Sequence, residues 1–136
     1  MSPSSPLGSD SHAPSEAAPP SPATAAQAVT VAISNETVQL YLRTFGRGPT
    51  NARAFVQPQF AVCVLRDVFT TAERTLIENG GAEEVEASRA KMNEALDGDY
   101  VAIVERQTGR AVQNHLAHLR VPADLAVHVF LFDDAI

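Results

Sequence analysis

The chain has 136 residues, 45% of them apolar and 19% charged, the composition of one globular domain that can bury a core without staples. A net charge of −6 argues against a nonspecific grip on nucleic acid or on an anionic membrane surface. Cys63 is the only cysteine, which excludes an internal disulfide and fits a reducing cytoplasm; no apolar run approaches the about 20 residues of a membrane span.

Residues 1–24 read as a disordered, solvated tail. Pro3, Pro6, Pro14, Pro19, Pro20 and Pro22 fall there among serine and alanine, and such a stretch buries too little apolar surface to offset its ordering entropy. It carries no lysine, no arginine and no hydrophobic block, so it is not expected to be a secretory signal. Residues 25–136 are expected to form the single domain.

From Ala25 to Phe45 the apolar spacing of Val31, Val38, Leu42 and Phe45 predicts a helix. Gly46 suits the left-handed residue that ends it, and Pro49 prevents it from resuming. Two short strands follow, Ala52–Val56 and Phe60–Arg66, joined at Gln57-Pro58-Gln59. The second is apolar at nearly every position, which predicts burial on both faces or at a dimer interface.

Thr70-Thr71-Ala72-Glu73 has the spacing of a capping box, in which the Thr70 hydroxyl accepts from the Glu73 N–H and the Glu73 carboxylate reaches back. Asn79-Gly80-Gly81 ends that short helix. Residues 82–108 read as one long helix with Gly98 as a candidate break. Arg89 falls on or beside its buried stripe, where an unpaired charge is costly, so it needs a partner. After Gly109, two more strands, Ala111–Val121 and Leu125–Phe132, flank the turn Pro122-Ala123-Asp124. The expected fold is α+β: helix, β-hairpin, two helices, β-hairpin, with an antiparallel sheet and the helices packed on one face. Apolar strands with few charges point to a homodimer that covers them.

Phe45-Gly46-Arg47-Gly48-Pro49-Thr50 is the leading candidate site. Free N–H groups of a glycine turn can hold an anion, Arg47 adds charge, and Arg43 and Arg53 flank it. The competing reading is a plain helix stop. No Walker lysine-serine pair, CxxC or HExxH occurs, and no Ser/His/acid arrangement stands out. Neither a catalytic residue, a metal nor a cofactor is assigned; an enzyme using Glu73 or a histidine is the weakest alternative. If the last hairpin is centred on Ala123, His118 faces His128 and His115 points to the other side, an arrangement that a one-residue slip destroys.

The stretch ISNETVQLYLRTFGRGPTNARAFV, followed by VCVLRDVFTTAERTLIENG, EVEASRAKMNEAL, VERQTGRAVQNHL and VFLF, resembles the bacterial MpsC-like family, named for a Na+-translocating, membrane-potential-generating system. The resemblance runs from about Ala28 to Phe132. Its landmarks are Gly46-Arg47-Gly48-Pro49, Thr70…Glu73…Leu76, Arg89 and Thr108-Gly109-Arg110; Phe69 departs from the leucine expected there, and Cys63 and the histidines lie outside the pattern. It implies a noncatalytic cytoplasmic accessory or regulatory protein associated with a membrane cation or inorganic-carbon transport system, with a transporter subunit as partner. Arg47, with Arg43, Arg53 and Arg89, would bind an anion or an acidic partner segment. The alternative is a small-anion or nucleotide sensor at the Gly46–Pro49 turn.

Overall fold

A computed structural model describes residues 22–133. Helix α1 spans Pro22–Phe45, strand β1 Asn51–Val56 and strand β2 Phe60–Arg66. Three helices follow, α2 (Thr71–Glu78), α3 (Ala82–Ala95) and α4 (Asp97–Thr108). Strand β3 (Val112–Arg120), a 3-10 turn at Val121–Ala123 and strand β4 (Leu125–Phe132) complete the described chain. The expected tail lies outside the described residues except for 22–24, which form the start of α1.

Local chemistry places these elements. Gly46 ends α1 at φ 78°, its N–H donating to Leu42 O at 2.9 Å. At Gly48 a Cβ would sit 3.1 Å from Val38 Cγ1 and 3.3 Å from Val38 O, so a side chain there would have to push α1 back by a few tenths of an ångström. Both halves of the Thr70–Glu73 capping box are formed at the start of α2, worth about 1 kcal/mol. The long second helix is in fact two. The break falls at Leu96 (φ −99°, ψ 5°), two residues before Gly98, and Leu96 O accepts from the N–H groups of Asp99 and Tyr100 to start α4.

The strands form one antiparallel sheet in the order β1-β2-β4-β3. Central strands β2 and β4 alternate buried and half-buried residues along their length. Ala61, Cys63, Leu65, Ala126, His128, Phe130 and Phe132 point under the helices, where they meet Ile33, Leu40, Tyr41, Val85, Tyr100 and Val104. Phe60, Val62, Val64, Val127, Val129 and Leu131 point the other way and stay partly exposed. Both faces are therefore apolar, yet the helices cover one.

The last hairpin has a different register from the one expected. The 3-10 turn and Asp124, at φ 49°, make a four-residue loop, so Arg120 pairs with Leu125 and the pairing is offset by one residue. His118 therefore faces Val127 and His128 faces Ala117; the His118–His128 pair does not form.

Candidate functional site

The residues after β2 are held from both sides by arginines. Arg47 Nη1 donates to Asp67 O and Phe69 O, both at 2.8 Å, and its Nη2 donates to Asp67 Oδ2 at 2.7 Å. From the core side, Arg89 Nη2 donates to Val68 O at 2.7 Å. The same guanidinium grips Glu73 with Nε at 2.7 Å and Nη2 at 2.6 Å, and lies 3.7 Å from the Phe45 ring centroid. Arg89 is only 3% exposed and is the partnered buried charge that its position demanded. Burial pushes the Glu73 carboxyl up, but the bonds from Arg89 and Thr70 outweigh it and hold the group below the usual carboxylate range.

Two aspartates with positive φ complete this latch. Asp67 (φ 63°) follows β2 and Asp124 (φ 49°) precedes β4; Asp67 N–H donates to Asp124 O at 2.9 Å. Asp124 Oδ1 accepts from the amides of Val68 at 2.6 Å and Phe69 at 3.2 Å, and Arg74 ion-pairs with both carboxylates. The Arg47 bond holds the Asp67 carboxyl below its ordinary range. Paired backbone amides here cradle an anion, but they belong to Val68 and Phe69 rather than to the Gly46–Thr50 turn, and the anion is the protein's own Asp124 carboxylate.

The four predicted arginines do not converge on one point. Arg47 and Arg89 meet the same three-residue segment, 67–69, from opposite sides. Arg43 lines a cleft of about 360 Å³ with Glu36, Asp99 and Arg106. Arg53 lines another of about 610 Å³, between α1 and β1, with Gln27, Thr30 and Asn35. Gly46 and Gly48 shape the turn, and Pro49 is buried within it.

A second polar constellation runs through the core. Asp97 Oδ1 lies 2.7 Å from His115 Nδ1, His115 Nε2 lies 2.9 Å from His128 Nδ1, and His128 Nε2 lies 2.9 Å from the Tyr41 hydroxyl. The two imidazoles stack at 5.1 Å between centroids, with Phe130 stacked on His115 and Tyr100 tilted over His128. Burial, with the neighbouring His115, pushes the His128 imidazole down to about 3, so it is neutral at physiological pH. A neutral ring has one donor and one acceptor, so Tyr41 O–H can donate to His128 and His128 N–H to His115, in a chain leading to the exposed Asp97. Burial also raises Tyr41, and pushes Tyr100 up to about 12. Tyr100 Oη is buried without a hydrogen-bond partner among the described residues.

Sequence reasoning missed this chain because it depends on the hairpin register and on two distant helices. The available signal was His128 at a core-facing parity in LAVHVFLF. It also missed Asp67, Arg74 and Asp124, whose signal was an aspartate directly after one strand and directly before another. Among the described residues, no group of three or more His, Cys, Asp or Glu is placed to hold a metal, and no helix is long and apolar enough to cross a membrane.

Residues 26–134 match the family described as the Na+-translocating membrane potential-generating system (MpsC). No curated protein and no solved structure gives a match.

Proposed function

From the premise that this chain belongs to the MpsC family, we propose that it is a noncatalytic, cytoplasmic accessory or regulatory protein of a membrane cation or inorganic-carbon transport system. The observation that carries this reading is the family match over 26–134, whose description names a Na+-translocating, membrane-potential-generating system. The described helices are too short or too polar to form an ion path, so that path would belong to a partner. The test is affinity capture of the tagged full chain from membranes of its source organism in mild detergent. Recovery of a cation or inorganic-carbon transporter subunit is expected; repeated capture without any membrane protein contradicts the reading.

A second reading, a small-anion or nucleotide sensor at the Gly46–Pro49 turn, draws on the Val68 and Phe69 amides that already hold a carboxylate. A ligand would compete with Asp124 and recruit Arg47. Phosphate, bicarbonate or a nucleotide at 100 times its dissociation constant would then stabilise the fold by about 2.7 kcal/mol. Thermal shifts of wild type and Arg47→Ala at constant ionic strength decide this. A flat wild-type response rejects the sensor.

A further inference from the structure

The sheet face that no described helix covers has an order of its own. The register sets Phe55, Val62, Val129 and Leu116 in one row across all four strands. The next row toward the start of β4 is Arg53, Val64, Val127 and His118, and the one beyond it Asn51, Arg66, Leu125 and Arg120. In the other direction Phe60, Leu131 and Asn114 form a row, and Asp133 follows one strand step beyond Leu131. The centre is apolar and flat; Phe55 and Leu116, on the two edge strands, are 47% and 58% exposed. One end is basic and the other carries an acid.

We propose that this face is covered by the same face of a second copy, related by a two-fold axis that runs along the Phe55–Val62–Val129–Leu116 row. Isologous pairing requires a self-complementary surface. An axis across the strands supplies it, because it turns the basic end of one sheet onto the acidic end of the other. Asp133 of each copy then lies opposite Leu125 of its mate, between Arg66 and Arg120. An axis along the strands would instead set the arginine row against itself, which like charges disfavour.

Area and shape agree with this occupant. Four strands about 4.8 Å apart and about seven residues long give a planar footprint of about 450 Å². Its apolar centre is smaller and falls within the size of the largest patch on a typical monomer, which is often functional. Side-chain relief enlarges the whole footprint toward the about 800 Å² per partner of a standard interface. Valines at Val62, Val64, Val127 and Val129 provide the low relief that lets two sheets pack about 10 Å apart. An anionic membrane fits less well: the arginines sit at one end rather than around the patch, and the whole chain carries −6.

The test is sedimentation equilibrium of the full chain over a concentration series, with far-UV circular dichroism as the fold control. Wild type dimerises, and Val129→Glu raises the dissociation constant more than about 100-fold, because a charge is buried without a partner. Asp133→Arg alone weakens the dimer by about three- to tenfold although it reduces the net charge of each copy from −6 to −4, and Arg66→Glu with Arg120→Glu weakens it by a similar factor. Combining all three restores affinity. A wild type that stays monomeric at every concentration overturns the proposal, as does a Val129→Glu chain that keeps its fold and its dimer. Tightening by Asp133→Arg overturns the proposed axis. Cosedimentation of monomeric wild type with phosphatidylglycerol vesicles, abolished by Val129→Glu, would give the face to a membrane instead.

Discussion

The two faces of the sheet are built from the same two central strands and solve different problems. On the helix side, polar groups are buried and, apart from Tyr100 Oη, bonded: His128 bonds both ring nitrogens, and Arg89 is satisfied by Glu73 and Val68 O at the rim of that core. On the open side, Val62, Val64, Val127 and Val129 bring no polar group that would need a partner. The difference teaches why β2 and β4 are apolar at both parities. One parity is explained by the helices, and the other by whatever covers the open face.

The sharpest break comes on the covered side. Arg89→Ala leaves Glu73 without its bidentate partner and Val68 O without a donor, and should cost about 3–5 kcal/mol in urea unfolding. Leu65→Ala, at a site with no exposure, should cost about 2–5 kcal/mol. Its counterpart, Leu116→Ala on the open face, should change the stability of the dissociated protomer by less than about 0.5 kcal/mol. Equal effects for this pair would erase the distinction between the faces.

Acid sharpens the comparison further. The folded His128 imidazole titrates at about 3, against about 6.5 in an unfolded chain, so the unfolded state binds more protons between those values. The stabilisation is complete above about 6.5 and is lost as pH falls toward 3, at up to about 1.4 kcal/mol per pH unit. Glu73, held low by Arg89, adds a loss of the same sign at the acidic end. His128→Phe should flatten the slope between pH 6.5 and 5; an unchanged slope means that another group carries it. A loss smaller than those at Arg89 and Leu65 belongs to the turn: Gly46→Ala, at φ 78°, should cost about 1–2 kcal/mol without altering either face.

How much of this was legible depended on sequence distance. The capping box was readable because Thr70 and Glu73 are three residues apart, and Gly46 because a helix stop needs a left-handed residue. Arg89 could be seen to need a partner, although Glu73, sixteen residues away, was already committed to the cap. The Asp97–His115–His128–Tyr41 chain was not readable, because one residue in the Val121–Asp124 turn decides which histidine meets which. The break at Leu96 was displaced from Gly98 because the chain turns at Leu96 and restarts on its carbonyl, leaving the glycine inside α4. The glycine turn suggested an anion; it could not reveal that Asp124, from the far hairpin, fills the nearby amides.

The central claim is the pairing of the open face across its middle row, and a thiol cross-link tests it most directly. Cys63 gives a quiet background, since it is buried and its thiol is pushed up to about 11. Leu116→Cys lies on the proposed axis, so its two copies face each other across about 10 Å, the spacing of packed sheets. Arg120→Cys lies four residues along β3, which separates its copies by about 29 Å. With a short bismaleimide, covalent dimer at Leu116→Cys and none at Arg120→Cys is the predicted result. No dimer at Leu116→Cys, or equal dimer at both positions, would contradict the account.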